Sequence, residues 1–353
     1  MVEVFFATNR NPVAKAKGHF GERFHADGPM FFRVGAADLR KVSDDPDDGY
    51  AIGSVRVFEE SVSVRRGAVR EVLGSSRLFA DLRAMMLKDK RDIIVLIHGF
   101  ACTFPESLRR AAQIKQAYLI APPGGGAAYE PHVVVFSWPS NGRVQPPWEY
   151  HDDRQDAAAS GVAMARFMRR FTDFLARSEG RCEQKIHLVA HSMGNWGLRH
   201  SVQNLAAIFD RARLPTIFAN VFLMAADEDE DAFEHEHKMS RLTELARSIH
   251  VYHSRGDLAL LVSDTTKFNP HRLGSDGPRT FSGLGNRIVA IDCHGVDSTG
   301  VLAHASHQYY RLRPEVIADV CGVLSGRFPP DRVPGRLIVE PGRRYRLEAE
   351  GDQ

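Results

Sequence analysis

The sequence predicts an α/β protein built on a doubly wound, mostly parallel sheet with an antiparallel edge at its N-terminal end. Three observations carry that expectation. Ile93-Ile94-Val95-Leu96-Ile97 is an unbroken apolar run, the mark of a strand buried on both faces. From there onward short apolar runs alternate with longer helical patterns, the order of a parallel sheet covered on both sides. Between Lys185 and Trp196 a strand-like run stops at Ser192, and a helical pattern follows at once.

Taken in order, residues 2–8 and about 51–65 read as strands and are expected to form the antiparallel edge. The Gly/Asp-rich stretch between them, including Ser43 to Gly49, reads as loop. Strand 93–97 is followed by a helix near 105–119 and strand 133–136. A long amphipathic helix over 151–177 has Ala157, Val162, Met164, Phe167, Phe171 and Phe174 at core spacing. Strand 186–190, a helix over 193–208, strand 217–224, a helix near 238–247 and strand 249–253 continue the alternation. Strand 288–291 is expected as the last parallel strand, and a helix over 313–325 closes the domain. Residues 263–286, rich in Gly, Pro, Ser and Asp, read as a loop long enough to form a pocket wall or lid. One domain is therefore expected over 1–325. Residues 326–353 form a C-terminal extension outside the catalytic core, whose Pro341-Gly342 turn admits a β-hairpin.

The chain of 353 residues is long enough for a large core, and its 43% apolar content is that of a folded domain. A net charge of +2 argues against nucleic acid or an anionic membrane surface as partner. The opening residues read as a strand and not as a signal peptide, and no apolar run is long enough to span a bilayer. Cys102, Cys182, Cys293 and Cys321 form no C-x-x-C pair, which fits four free thiols and a cytoplasmic setting.

The chemistry is read from the turn at Ser192. Small residues two before and two after it, Ala190 and Gly194, let the backbone turn sharply and push the serine oxygen out of the sheet, as in a nucleophile elbow. A serine needs a histidine to take its proton, and the histidine needs a carboxylate. In the chain order Ser, acid, His, Asp257 follows strand 249–253, and His307 precedes the closing helix. Asp227, after strand 217–224, is the alternative acid, and its neighbours Glu228 to Asp231 read as a solvated turn. His304 is the alternative base, and His294 also qualifies by order. The oxyanion of a tetrahedral intermediate needs fixed N–H donors. The backbone N–H groups of Met193 and Phe100 are expected to supply them, with Ala101 as fallback. His98 is assigned a structural role.

These elements resemble the α/β-hydrolase superfamily: the His98-Gly99-Phe100 loop, the elbow from Ala190 to Asn195, the segment from Ser254 to Leu260 and the closing His307-x-Tyr309 element. Phe5 to Arg10, Phe136 to Ser140, Tyr150-x-x-Asp153 and Arg272-Leu273-Gly274 are similar, more particularly, to a bacterial family of largely uncharacterised serine-type α/β hydrolases. Near the base that family carries Gly-His-Ser, where this chain has Ser306-His307-Gln308. The resemblance covers roughly residues 2–325 and implies serine-hydrolase chemistry.

Other signals are read as structural. His235-x-His237 offers two histidines where zinc needs three or four ligands. Gly124-Gly125-Gly126 lacks the lysine of a phosphate loop. Cys102 reads as a small buried residue, and Trp138, Trp148 and Phe104 as core or pocket wall. The expected function is hydrolysis of a small-molecule carboxylic ester through an acyl-enzyme, without metal or organic cofactor. Acyl transfer, thioester or amide hydrolysis by the same triad, and a non-catalytic binding module, are the alternatives. Residues 139–150 and 263–286 are expected to shape specificity.

Overall fold

A computed structural model describes residues 1–13, 18–65, 68–145, 148–177, 183–260, 271–296 and 306–349. The N-terminal part contains β1 (Val2–Thr8), β2 (Arg10–Pro12), β3 (Phe20–Phe24), β4 (Arg33–Lys41), β5 (Tyr50–Val57), β6 (Ser61–Arg65), β7 (Ala68–Val72) and helix α1 (Gly74–Asp89). The regular alternation follows with β8 (Ile93–Ile97), α2 (Phe104–Ala117), β9 (His132–Ser137), α3 (Trp148–Arg177), β10 (Ile186–His191), α4 (Gly194–Ile208) and β11 (Phe218–Met224). Next come α5 (Leu242–Leu245), β12 (Ala246–His253), α6 (Leu273–Asp276), β13 (Ile288–Gly295), α7 (Tyr309–Leu312), α8 (Pro314–Ser325), β14 (Arg336–Glu340) and β15 (Arg344–Glu348).

Eleven of these strands form one sheet in the order β14-β15-β13-β12-β11-β10-β8-β9-β1-β4-β5. All pairings from β1 through to β15 are parallel. The antiparallel ones are β1 with β4, β4 with β5 and, at the far edge, β14 with β15. The central strands are buried on both faces because their side chains alternate between two cores. Val95, Ile97, Leu188 and Ala190 face Phe79, Met164, Phe167 and Leu198 on one side. Ile94, Leu96 and Val189 face Leu108, Ile114, Val316 and Val320 on the other. This is the doubly wound α/β-hydrolase architecture with an N-terminal antiparallel edge. Among the described residues, no helix is long and apolar enough to cross a membrane.

Several elements differ from the expectation. Strand β4 lies within the stretch read as loop, and α1 was not anticipated. The single run expected over 51–65 is divided between β5 and the β6–β7 hairpin, which forms a separate two-stranded sheet. The helix expected near 238–247 shrinks to the four residues of α5, because strand β12 already starts at Ala246. Strand β13 is not the last parallel strand, since β15 pairs parallel to it. The β14–β15 hairpin is tied down by a buried ion pair. Arg336 Nε and Nη2 donate to Asp319 Oδ1 and Oδ2 at 2.6 and 2.9 Å, and Tyr252 donates to the same carboxylate at 2.5 Å.

Candidate active site

The chain leaves β8 through α2 to reach β9 on one side, and returns through α3 to reach β10 on the other. Such a reversal beyond the carboxyl ends of neighbouring strands is where ligands bind in open α/β sheets. Ile97 is in register with Ala190, so the loops that follow the two strands lie side by side.

Ser192 occupies the turn between β10 and α4 with φ +51°. A non-glycine residue adopts this left-handed conformation only where its surroundings impose it. Here they do. The Ser192 N–H donates to Met224 O at 2.9 Å, and its carbonyl accepts from the N–H groups of Asn195 at 3.0 Å and Asp227 at 3.2 Å. Asn195 Nδ2 adds bonds to Ala190 O at 3.1 Å and Ser192 O at 3.0 Å. Gly194 has to be glycine, because a Cβ there would lie 2.5 Å from His98 O. A Cβ on Gly99 would lie 2.8 Å from Ser192 Cβ. The two loops therefore interlock at backbone contact.

The candidate acid follows a later strand, and the candidate base precedes the short helix α7. Asp257 follows β12 and is buried. Its Oδ1 accepts from the Ala259 and Leu260 N–H groups at 3.1 and 3.2 Å, and its Oδ2 accepts from His307 Nδ1 at 2.7 Å. With Nδ1 donating, Nε2 of His307 is left as the acceptor nitrogen. His307 is bound to the nucleophile turn through its backbone. His191, the residue before Ser192, donates from Nε2 to His307 O at 2.9 Å, and the two rings lie 4.8 Å apart. Tyr309 locks the same segment to the sheet: its hydroxyl accepts from Ala225 N at 2.9 Å and donates to Tyr252 O at 2.9 Å. The Ser192 hydroxyl itself makes no hydrogen bond among the described residues. Such contacts are commonly long in ligand-free sites and tighten when substrate binds.

Of the three amides considered as oxyanion donors, one is engaged. The Ala101 N–H donates to Asp153 Oδ2 at 3.3 Å. The N–H groups of Phe100 and Met193 have no acceptor among the described residues. His98 is fully buried and stacks on Trp138 at 4.9 Å, and its carbonyl accepts from Trp138 Nε1 at 2.8 Å.

Asp227 is also buried beside the turn, but its Oδ2 accepts from Tyr150 at 2.5 Å and from Arg154 at 3.5 Å, with Arg272 3.8 Å from Oδ1. Its neighbours do not form a solvated turn. Glu228 is fully buried and pairs with Arg199 at 2.9 Å, and Asp229 pairs with Lys238 at 3.0 Å. His304 lies outside the described residues. His294 is exposed, and His235 pairs with Asp231 at 3.2 Å. Among the described residues no group of three or more His, Cys, Asp or Glu side chains is arranged to hold a metal. Cys102, Trp138 and Phe104 are buried, whereas Trp148 is 62% exposed and so is not core.

Sequence reasoning assigned no role to His191, Arg10 or Asp153. His191 sits in a motif that was read only for its serine, and Arg10 and Asp153 belong to segments noted solely for their resemblance. The family model described as alpha/beta hydrolase of unknown function (DUF900) matches residues 77–324. No curated protein matches the chain.

Proposed function

The chain belongs to this α/β-hydrolase family, and from that premise we propose that it is a serine hydrolase that cleaves carboxylic esters through an acyl-enzyme. The observation that carries the reading is the 2.7 Å bond between His307 Nδ1 and Asp257 Oδ2 on a segment bonded to the residue before Ser192.

Ser192 Oγ attacks the ester carbonyl and gives its proton to His307 Nε2. Asp257 holds the Nδ1–H, fixes the tautomer and stabilises the imidazolium. The carbonyl oxygen becomes an oxyanion that accepts from the Phe100 and Met193 N–H groups, donors fixed in place before the reaction starts. Collapse of this intermediate breaks the ester C–O bond, and the leaving alkoxide takes the proton from His307. Water then gives a proton to the same nitrogen as it attacks the acyl carbon, and the proton returns to Ser192 as the acid leaves.

The experiment compares hydrolysis of short-chain aryl esters, and labelling by a fluorophosphonate, for the protein and its Ser192→Ala variant. Turnover and labelling of the unaltered protein, both lost in the variant, support the proposal. Equal rates in both would remove Ser192 from the mechanism.

A further inference from the structure

We propose that Asp153, Ser140 and Arg10 form a buried clamp that positions the oxyanion loop and selects Phe100, not Ala101, as the donor in that loop; its catalytic consequence rests on the serine-hydrolase reading above. The loop between β8 and α2 carries a backbone anomaly. Ala101 has φ +50°, which an alanine adopts only under constraint.

The constraint is a set of polar groups drawn from distant parts of the chain. Asp153, on the first turns of α3, accepts from Ala101 N through Oδ2 at 3.3 Å and from Asn141 N through Oδ1 at 3.3 Å, and takes a short bond from Ser140 Oγ. The same serine oxygen accepts from Cys102 N at 2.9 Å. Arg10 approaches from the start of β2. Its Nη2 donates to Cys102 O at 2.6 Å, its Nη1 to Ser140 O at 2.9 Å and Gly21 O at 3.1 Å, and its Nε to Ser137 Oγ at 3.0 Å. Arg10 is fully buried, yet none of these acceptors is a carboxylate. A buried cation is costly unless its donors are satisfied, and here they are satisfied mostly by the backbone of the loop and its support. Thr103, after Cys102, caps the N-terminus of α2 with a reciprocal capping box to Glu106, which fixes the loop's other end.

The geometry gives the clamp a direction. By capturing the Ala101 N–H, Asp153 turns that amide toward α3 and holds the peptide bend that leaves the Phe100 N–H without a protein acceptor. The loop is at backbone contact with the nucleophile turn through Gly99, so a small rotation of the loop moves this donor relative to Ser192.

The test uses Ser140→Ala, Asp153→Asn and Ser140→Thr in the full chain. The alanine removes the bridging hydroxyl. The asparagine turns one acceptor oxygen into a donor facing other donors. The threonine keeps the hydroxyl. Two readouts are taken: amide hydrogen exchange at residues 100–102, and kcat and KM for an aryl ester alongside the rate of fluorophosphonate labelling. Ser140→Ala and Asp153→Asn are expected to speed exchange at Ala101 and Cys102 about tenfold or more, with β8 and α2 unchanged. They should lower kcat roughly 10–100-fold with KM within about twofold, the pattern of a misplaced transition-state donor. Ser140→Thr should restore both. Unchanged exchange, or faster exchange with unchanged kcat, overturns the positioning role. Faster exchange in a protein whose unaltered form never labels at Ser192 leaves the clamp standing as an anchor of the loop and removes the hydrolase reading instead.

Discussion

His191 Nε2 donates to the backbone carbonyl of His307 at 2.9 Å, so the residue that precedes Ser192 also holds the segment carrying His307, the proposed base. His191 is suited to this task because it is fully buried and stacks on Tyr310 at 4.5 Å. Burial, reinforced by His307 and Arg110, keeps its pKa well below the ordinary histidine range, so it stays neutral and keeps a fixed tautomer. Replacement by phenylalanine preserves the stacking and deletes the donor. We expect His191→Phe to fold, to retain KM within a few-fold and to lose about 10–100-fold in kcat, because displacement of the base by a fraction of an ångström weakens proton transfer. Steady-state kinetics on an aryl ester checks this; an unchanged kcat would show that the bond does not position His307.

The two carboxylates beside the turn are expected to behave differently. Asp257 spends one oxygen on His307 and the other on two backbone amides. Asp257→Asn presents an amide that favours the wrong histidine tautomer, and should lower kcat by about 10³–10⁴-fold. Asp227 is engaged by Tyr150 and Arg154 and faced by Arg272, so Asp227→Asn should cost less than about tenfold in kcat and act mainly on stability. A larger kcat loss in Asp227→Asn than in Asp257→Asn would exchange the roles of the two residues.

How much of this was readable in advance depended on whether the signal was local. The central parallel strands, β8 to β13, declared themselves because burial on both faces requires continuous apolar residues. Strand β4 did not, because its centre is Gly35-Ala36-Ala37, small residues of weak strand preference that fit between β1 and β5. Helix α1 begins after Leu73, which provides no side-chain cap, so the usual start signal is missing. Ser192, Asp257 and His307 were nominated as candidates by chain order and by the elements they flank. The role of Arg10 could not be found this way, since its acceptors Ser137 and Ser140 lie 127 and 130 residues away and only the fold brings them together.

The left-handed backbone at Ser192 has a measurable cost. A residue with a Cβ loses about 1–2 kcal/mol in that conformation, whereas glycine adopts it readily. Ser192→Ala and Ser192→Gly should both abolish turnover. The glycine variant should be the more stable of the two by about 1 kcal/mol, after the greater freedom of glycine in the unfolded chain is counted. Denaturant unfolding of the two variants checks this. A glycine variant less stable than the alanine variant would mean that the φ of +51° carries no strain.

Acid should destabilise the protein earlier than its carboxylates alone would require. His98, His191 and His250 are buried and held neutral, with pKa values driven well below the ordinary value by burial and, secondarily, by Arg10 for His98, His307 for His191 and Arg336 for His250. On unfolding, each recovers an affinity for protons near pH 6.5. Below that pH the unfolded chain binds more protons than the folded one, so stability falls as pH falls and is fully retained above it. Each such histidine contributes about 1.4 kcal/mol per pH unit once the pH is well under 6.5, and three together contribute roughly 4 kcal/mol per unit. Carboxylates near their ordinary values add to the loss only nearer pH 4.5 and below. At pH 5.5 these three histidines should therefore contribute roughly three protons to the uptake on unfolding, with His132 and His200, lowered to about 4 chiefly by burial, adding to it and Asp156, raised to about 7 chiefly by burial, offsetting part of it. The uptake is measured by calorimetry in buffers of different ionisation enthalpy, and Tm should drop by several degrees between pH 7.5 and 5.5. His250→Gln, which cannot accept the proton, should reduce the uptake by about one. A Tm that stays flat across this interval would mean that these imidazoles find room to charge inside the folded protein.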